Sequence, residues 1–518
     1  NPSSKYILQI FLFTSFPAFA DLASATDTPD EIDPFYAAAS ETSLATGYSL
    51  PLIRAPAIAT VITAQQIEKL GVMTVADVLK TVPGLHISTA RGVNDIFVMR
   101  GFYDEFNSYV LLLINGIPVN NVVNGGRPQA WRMPVHNIAR IEIMRGPGSA
   151  LYGADAAAGI INIVTKTARE IGGVAGGAYG GSFETGGGWF QAGGRFGNFE
   201  AAFSLEANTT DGYRKTVLAD DQTRIDQLLG THASWAPGSI NTQRDDIDTR
   251  IDLAGERWRF RAGYQGFLNV GTGTGITLAL DPTGDFSVGL TNADFTYNLA
   301  QSNLWDISVQ ASYLGTTTEA DLTPFPSGAF GGLFQDGIRD RFRFRVNETR
   351  GGVTALYGGI PAHRFRFGVG FSHSRLSDVA ESRNFRIGSG GVPLPTLFSD
   401  VSAFGEQPLL SEETRTLWYA LAQDEWVFAP DWILTAGIRL DDYSDFGATV
   451  DPRLALVWNL SPTLTAKALY GRAFRAPTFT ELYGNNIVAT AGNLDLEPEI
   501  LNMVEFSLDK TWNPQLQT

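Results

Sequence analysis

The residue types that most often carry enzyme chemistry are scarce in this chain of 518 residues, and their spacing fits no catalytic motif. Cysteine is absent, which excludes a disulfide framework, thiolate zinc ligation, iron–sulfur ligation and a cysteine nucleophile. Gly148-Ser149 lacks the Gly-x-Ser-x-Gly spacing of a nucleophile elbow, and Gly271-x-Gly273-x-Gly275 lacks the following helix of a dinucleotide-binding loop. The sequence therefore indicates a protein that is not an enzyme.

Histidine is the other residue type that could hold a metal, and its spacing here does not favour one. No two of the histidines stand at the separations used by metal sites, so each is interpreted as a turn or rim residue. The five histidines are His86, His136, His232, His363 and His373. We therefore expect neither a protein-bound metal nor a cofactor.

The charge of the chain argues against a nucleic-acid partner. It has 54 acidic and 38 basic residues, a formal net charge of −16 and no block of Lys and Arg. Such a chain lacks the positive surface that binds phosphate backbones. Charged residues make up only 18% of the sequence, below the roughly one quarter that is usual for soluble proteins, and 55 residues are glycine.

The N-terminal residues have the features of an export signal. Lys5 precedes an apolar stretch from Tyr6 to Phe16, and Ala18-Phe19-Ala20 supplies a small-x-small cleavage site, so residues 1–20 are interpreted as a signal peptide. Beyond it no run reaches the ~18 apolar residues of a membrane helix. Residues 21–54 are rich in Ala, Ser, Thr and Asp, which predicts a mobile periplasmic tail.

Residues 55–168 have the pattern of a small α+β domain. Thr63 is placed to cap a helix over Ala64–Leu70, and a second helix runs from Thr74 to Lys80 before Pro83-Gly84. Short apolar segments bounded by Gly, Asn and Pro predict strands at 58–62, 96–99, 110–114, 140–144 and 159–165.

After residue 171 the sequence changes to repeated apolar–polar alternation with a period of two. In 199–207, 258–264, 305–313 and 365–371 every second residue is apolar, and the residues between are polar or small. We predict 14 such strands, the last over 501–510. A soluble β-sandwich would also alternate in this way.

The connections between these strands favour a transmembrane β-barrel over a sandwich. Short turns alternate with long segments near 209–246, 270–290, 317–345, 375–413 and 475–497, which is typical of outer-membrane barrels. Trp258, Trp305, Trp432 and Trp458 lie close to the short turns, as in an aromatic girdle at the periplasmic interface. The predicted fold is an all-β transmembrane barrel over 169–518 that carries the α+β domain in its lumen as a plug.

The size of the plug argues that 14 strands are not the whole barrel. Fourteen strands about 4.8 Å apart and tilted by about 42° leave a lumen roughly 19 Å wide. A domain of about 115 residues has a diameter of about 34 Å, whereas about 22 strands enclose a lumen of about 35 Å. We therefore expect the chain to be C-terminally truncated.

Several motifs resemble those of TonB-dependent outer-membrane receptors, and the resemblance covers nearly the whole chain. The plug motifs are Val98–Phe102, Leu113–Pro118 and Ile138–Gly153 with its continuation through 163; the barrel motifs are Tyr470–Pro477 and Gly492–Glu499. Asn115 stands where the family usually has Asp. The resemblance implies a plugged 22-stranded barrel in the bacterial outer membrane. Such a receptor imports a scarce ligand with energy transmitted by the TonB protein of the inner-membrane energising complex.

Two other kinds of barrel are less consistent with these motifs. A passive porin needs no folded domain in its lumen, and a surface adhesin would share neither the plug motif nor a segment on which a partner pulls. The resemblance also implies such a segment, the TonB box, which binds by adding a strand to the sheet of TonB. The candidate is Glu41-Thr42-Ser43-Leu44-Ala45-Thr46-Gly47, a degenerate match that a plain linker would also explain.

The resemblance further implies charged contacts that hold the plug to the barrel. Arg100 and Arg145 match plug arginines that, in the family, pair with glutamates on the barrel wall. Glu505 alternates with Val504 and Phe506, so it should face the lumen, and it is the candidate partner. A second glutamate is expected outside the present strands, and the alternative is that both arginines only serve local turns of the plug.

The ligand is the least determined feature. Plug turns at 88–95, 103–107 and 120–129 should face the outside; they offer Arg91, Tyr103, Phe106 and Arg127 as ligand contacts. Long loops add Arg339, Arg341, Arg343 and Arg345, which could instead contact lipopolysaccharide phosphates. Arginines with aromatic residues suit a planar, anionic ferric siderophore of the catecholate type. Cobalamin is the main alternative, and haem and sugars remain open.

Overall fold

The computed structural model describes residues 41–90, 94–388, 393–485, 491–513 and 516–517. The signal peptide predicted for 1–20, residues 21–40 of the predicted tail and Arg91 lie outside the described residues. No helix within the described ranges is long and apolar enough to cross a membrane.

The N-terminal part is a small α+β domain built on one mixed sheet. In that sheet the strands have the order β3 (Ile58–Thr63), β8 (Ile138–Arg145), β9 (Gly159–Thr165), β6 (Val110–Ile114) and β7 (Ile117–Pro118). Strand β6 pairs with β9 in parallel, and the other pairs are antiparallel. Its strands are β1 Glu41–Thr42, β2 Leu50–Pro51, β3 Ile58–Thr63, β4 Leu85–Thr89, β5 Asp95–Met99, β6 Val110–Ile114, β7 Ile117–Pro118, β8 Ile138–Arg145 and β9 Gly159–Thr165. Its helices are α1 Ala64–Leu70, α2 Val75–Leu79, α3 Ser149–Tyr152 and α4 Ala168–Ile171.

The predicted helix starts follow from local capping chemistry. The Thr63 side chain accepts from the backbone N–H of Gln66, and the Gln66 side chain accepts from the backbone N–H of Thr63, so α1 begins with a capping box. Thr74 caps α2 in the same manner through the N–H of Asp77. Strand β6 is buried along its whole length and forms the centre of the plug core.

The rest of the chain is one antiparallel sheet in which consecutive long strands are neighbours. Fourteen long strands form it within the described residues, as predicted from the alternation. They are β10 Gly173–Gly181, β11 Thr185–Phe196, β12 Phe199–Thr210, β15 Arg244–Ala254, β16 Trp258–Gly271, β17 Asp285–Gln301, β18 Trp305–Phe325, β19 Ile338–Tyr357, β20 His363–Ile387, β22 Thr414–Ala429, β23 Trp432–Tyr443, β24 Gly447–Ser461, β25 Leu464–Arg475 and β26 Glu499–Asn513. Among the described strands nothing pairs β10 with the other end of the sheet, so the barrel is open.

Short strands and helices lie in the long connections, on the side of the sheet opposite the tight turns. They are β13 Thr216–Val217, α5 Asp221–Leu229, β14 Gly238–Ser239, α6 Ala329–Gly332, β21 Pro393–Asp400, the 3-10 helix Val401–Phe404 and α7 Phe479–Tyr483; β27 Leu516–Gln517 follows β26. The long strands also extend further than expected: β18, β19 and β20 run into the regions predicted as loops at 317–345 and 375–413. The outward face of a strand can be polar in water, so these extensions lack the outward apolar residues that mark the membrane part.

The sheet has the polarity of a membrane barrel and not of a soluble sandwich. Its outward face carries large apolar side chains that are exposed, such as Phe367, Val369 and Phe371 on β20. Its inward face buries charged side chains, such as Asp248 and Arg250 on β15. A sandwich would bury the apolar face, whereas lipid solvates it in a barrel.

Aromatic rings mark the end of the barrel that carries the tight turns. Trp258, Trp305 and Trp432 each begin a strand, and Trp458 lies near the end of β24. The rings of Trp432 and Trp458 stack with centroids 4.6 Å apart. This arrangement is the periplasmic girdle expected from the sequence.

Candidate functional site

Arginines of the barrel wall hold the plug by its backbone. Arg244, Arg350 and Arg439 donate to backbone carbonyl oxygens of the plug, those of Ala130, Pro118 and Leu151, at 2.8–3.2 Å. Each of these arginines is also paired with a carboxylate two positions away on its own strand; the pairs are Arg244–Asp246 at 2.7 Å, Arg350–Glu348 at 2.6 Å and Arg439–Asp441 at 2.7 Å. The buried charges are thereby neutralised while the remaining donors bind the plug. These wall arginines were not predicted from the sequence, although each has an acidic residue two positions away on the same strand, a pattern that is visible in the sequence.

Arg100 and Glu505 form an ion pair between plug and barrel. Their side chains are 26% and 9% exposed, and Arg100 Nη1 also lies 3.5 Å from the sulfur of Met503. Gly146, at φ +108°, permits this approach, because a Cβ there would lie 2.6 Å from Glu505 Oε2. The structure therefore brings together these two residues of the predicted latch.

Arg145, the second arginine of the predicted latch, makes its contacts inside the plug. Its Nη1 donates to the carbonyl oxygen of Pro83 at 3.0 Å and its Nη2 to Thr60 Oγ1 at 2.9 Å. Burial lowers the pKa of Arg145, and Asp509 on the barrel wall opposes that shift through its charge. Within the described residues Arg145 forms no ion pair with a barrel carboxylate.

The candidate TonB box lies packed in the lumen, which differs from the mobile tail expected through residue 54. Glu41–Thr42 pairs with Leu50–Pro51, and Leu44 is only 1% exposed, in a cluster with plug residues. The Thr42 hydroxyl donates to Glu142 Oε2 at 3.2 Å, and the N–H of Ser43 points to the same oxygen at 3.4 Å. Composition alone predicted a solvated tail, because the partners of this segment are remote in sequence.

Two basic residues of the barrel wall hold this segment and the chain that follows it. Arg453 on β24 donates to the carbonyl oxygens of Ala45 and Pro56. Lys467 on β25 donates to those of Leu52, at 2.9 Å, and Ala57, at 3.2 Å. The backbone of residues 45–57 is therefore tied to the barrel at four carbonyl groups.

Two predicted ligand contacts are presented at the apex of the plug. Tyr103 is 62% exposed, and Phe106 is also exposed on the same turn. Asp104 holds this turn, since its Oδ2 accepts from the N–H groups of Phe106 and Ser108, each at 3.0 Å, and from the Ser108 hydroxyl. The turn thus exposes two aromatic rings on a backbone that is held by these hydrogen bonds.

Arg127 does not join this surface. Its side chain is buried, with its guanidinium 5.0 Å from the centroid of the Phe97 ring and Nη1 3.5 Å from the carbonyl oxygen of Trp131. Burial lowers the pKa of Arg127 to about 10. Its prediction as a ligand contact is not supported, because the turn at 120–129 folds inward against the barrel wall.

The arginines of the β19 extension face away from the lumen. Arg339, Arg341, Arg343 and Arg345 are exposed and alternate with Phe342, Phe344 and Val346, which pack inward. Arg339 and Arg341 lie 5.2 and 5.8 Å from the centroid of Phe398, and both pair with Asp321. These arginines therefore lie on the outer surface, which differs from the ligand-facing position considered from the sequence.

The imidazole rings of three histidines each make a hydrogen bond with one side chain. His136 Nδ1 lies 2.9 Å from Glu206, His363 Nδ1 lies 2.7 Å from Asp424, and His373 Nδ1 lies 3.0 Å from the Thr416 hydroxyl. In the part of the chain that the structure describes, no group of three or more His, Asp or Glu could hold a metal ion.

A folded plug held by charged contacts inside a lipid-facing β-barrel defines an outer-membrane receptor of the plugged-barrel class. Residues 234–517 match the family model described as TonB dependent receptor-like, beta-barrel, and residues 51–160 match that of the TonB-dependent receptor plug domain. The chain therefore belongs to the TonB-dependent receptor family, whose members are transport receptors of the outer membrane.

Named relatives and solved structures agree with this assignment. The chain is 26% identical, over 548 residues, to the iron-regulated outer membrane virulence protein of Vibrio cholerae, covering 98% of this chain and 70% of that protein. It is 25% identical, over 477 residues, to the vitamin B12 transporter BtuB of Photobacterium profundum, with coverages of 90% and 66%. The crystal structure of the siderophore receptor PirA from Acinetobacter baumannii has the same fold, with a TM-score of 0.63 at 18% identity over 88% of this chain and 68% of that one.

Proposed function

We propose that this receptor binds a ferric siderophore at its extracellular face and imports it with energy that TonB transmits. The observation that carries the proposal is the plug, which occupies the lumen and is tied to the wall by arginine and lysine contacts. Passage of a ligand requires the plug to move. The outer membrane offers no nucleotide or ion gradient for that work, so a partner must pull on the chain.

The choice of a siderophore rests on the apical surface and on the relatives. Exposed Tyr103 and Phe106 suit the rings of a catecholate ligand, through stacking and edge contacts. The iron-regulated relative and the siderophore receptor of the same fold point the same way. Cobalamin is the alternative, supported by the similarity to BtuB.

A binding panel tests the ligand. The purified receptor is titrated with ferric catecholates, ferric hydroxamates, haem and cobalamin, alongside the Tyr103→Ala and Phe106→Ala variants. We expect tight binding of a ferric catecholate that each variant weakens about tenfold, the effect of losing one well-packed aromatic contact. Tight binding of cobalamin without binding of any siderophore would overturn the ligand assignment.

The TonB contact is proposed for Glu41–Gly47. A segment that adds a strand to another sheet must expose its backbone, so this segment must leave the lumen before TonB can bind it. Leu44→Pro removes a backbone donor from the added strand and should abolish uptake while ligand binding persists. Leu44→Ala removes the same packing but keeps the donor, so it should retain uptake. Normal uptake by the proline variant would refute the assignment.

Lipopolysaccharide is the proposed partner of the outward arginines. At about 2.4 Å of height per residue, Arg345 lies about 29 Å and Arg339 about 43 Å above the periplasmic end of β19, beyond an apolar band about 25 Å tall. That level is where the phosphates of lipopolysaccharide lie. Arginine forks bind phosphate bidentately.

A further inference from the structure

A cavity of about 250 Å³ lies between the plug and strands β18–β23. It extends from Arg415, at the extracellular end of β22, to Arg366, three residues above the first residue of β20. Arg415 pairs in register with Ser374, eight positions above Arg366, so the cavity runs about 20 Å along the wall. It is smaller than the roughly 300 Å³ of the smallest drug-sized sites, so its volume suits one group of a ligand and not a whole siderophore.

The four arginines that line this cavity are not equally neutralised. Arg350 pairs with Glu348 at 2.6 Å, Arg415 with Asp445 at 2.7 Å and Arg439 with Asp441 at 2.7 Å. For Arg366 the residues two positions away are Arg364 and Gly368, so the carboxylate found beside Arg350 and Arg439 is missing. Its Nε and Nη1 are buried and have no hydrogen-bond partner among the described residues.

The neighbours of Arg366 do not supply the missing negative charge. Strand register places Leu356 on one side of it and Gln423 on the other, and the Gln423 side-chain oxygen is itself buried without a partner. On the plug side lies Gly47, where a Cβ would be 2.7 Å from Arg366 Nη1. These groups are neutral, so the guanidinium charge remains uncompensated inside the barrel.

A buried guanidinium without a counter-charge is unfavourable, and an external anion that enters the cavity would relieve this cost. The planar fork of arginine binds carboxylate, sulfate and phosphate oxygens through two parallel hydrogen bonds. We propose that Arg366 is the centre of an internal anion-binding site, and that this site binds an anionic group of the imported ligand after the ligand leaves the extracellular mouth. The second part rests on the proposed function, whereas the first part does not.

Sulfate tests the site itself on the purified receptor in detergent. Arg366→Gln removes the cation, and Gln423→Glu places a near-isosteric carboxylate beside it, as beside the other arginines. The control Gln310→Glu adds the same charge to the same cavity, but two strands away and level with residue 370, about 10 Å across the sheet and 13 Å along the strand direction from Arg366. The measurement is the melting temperature in sodium sulfate against sodium chloride of equal ionic strength.

The expected result is a sulfate-dependent rise in melting temperature that wild type and Gln310→Glu share and that both other variants lose. Both test variants lower the net charge of the site by one, but Arg366→Gln removes the guanidinium whereas Gln423→Glu keeps it, so a purely structural role of Arg366 would not make them alike. A wild-type receptor without the sulfate response would overturn the site. So would a response that persists in either Arg366→Gln or Gln423→Glu.

Uptake of a ferric tris-catecholate tests the role in transport. The amount of ligand held by energy-depleted cells measures binding at the extracellular mouth of the receptor, which all variants should retain. The amount taken up by energised cells measures import. Import should fall about tenfold to 100-fold in Arg366→Gln and Gln423→Glu, the factor for one charge-assisted hydrogen bond. Unchanged import in these variants would overturn the role of Arg366 in transport. If neither the wild-type receptor nor any variant binds the catecholate, the proposed ligand is refuted, and the sulfate experiment alone then tests the anion-binding site.

Discussion

Breaking the Arg100–Glu505 ion pair should loosen the plug, and Glu505→Gln is the smallest change that does so. The substitution preserves shape and removes the charge that opposes Arg100. Burial and the positive charge of Arg145 lower the pKa of Arg100, so both disfavour its charged form. Without the carboxylate, Arg100 remains a largely buried cation that lacks a counter-charge.

The magnitude follows from the burial of the two side chains. Removing one partner of a fully buried pair costs about 3–5 kcal/mol, but exposed pairs contribute less than about 1 kcal/mol. The Glu505 side chain is 9% exposed and that of Arg100 is 26% exposed, so we expect about 2–3 kcal/mol. That corresponds to a roughly 30-fold to 150-fold rise in the population of the detached plug.

The absence of cysteine makes this population measurable by thiol labelling. Ser149→Cys places a reporter at a plug site that is 0% exposed and contacts the backbone N–H of Phe474 on the barrel wall. Its labelling rate should rise about 30-fold or more in Glu505→Gln. The control Glu200→Gln breaks a surface pair with Arg169 and should change the rate by less than about threefold.

Gly146→Ala gives an independent test, since its Cβ would displace the Glu505 carboxylate without removing either charge. It should increase labelling in the same direction. If Glu505→Gln labels within twofold of its parent, the ion pair does not hold the plug and the reasoning is refuted.

Three further predictions concern the plug, its N-terminal segment and the outer surface. Burial raises the pKa of Asp155 to about 6, so stability that is present below pH 3.8 is lost as the pH rises through 6. In thermal unfolding, Asp155→Asn should therefore be as stable as the parent at low pH. At pH 7 its free energy of unfolding should exceed that of the parent by up to about 3 kcal/mol. Equal pH profiles would contradict this. Lys467→Met removes the donor to Leu52 and Ala57, and should raise labelling of an Ala45→Cys reporter about tenfold. An unchanged rate would contradict the role of Lys467 in holding this segment. Replacing Arg341 and Arg343 by Gln should reduce co-purified lipopolysaccharide, assayed as phosphate, and an unchanged amount would contradict the outer-surface assignment.

The class of fold could be predicted from the sequence because its causes are local. Alternation with a period of two sets which side chains of each strand face lipid, and the tight turns at Gly197-Asn198 and Ser461-Pro462 set the connection lengths. The Thr63 cap and the residues that follow it determine α1 within one turn. The lumen-facing direction of Glu505 followed from the same alternation.

The candidate site was less predictable, because its contacts join residues that are remote in sequence. The segment at 41–47 has the composition of a solvated tail, and it is ordered by Glu142, about 100 positions away, and by Arg453, 408 positions from Ala45. Arg127 occupies an outer turn in the sequence but is buried, because its guanidinium packs against the ring of Phe97 on plug strand β5.

The sequence by itself determined the membrane barrel, its strand phase, the plug and the family, since each depends on periodicity or on a contiguous motif. Only the tertiary structure decided which charges meet. Arg100 finds Glu505 across the lumen, Arg350 and Arg439 have carboxylates on their own strands, and Arg366 has none. The physical reason is that a charge inside the lumen is stabilised only if a neighbouring strand or plug turn places an opposite charge within a few ångströms of it. Strand register and the packing of the plug determine which charges come that close.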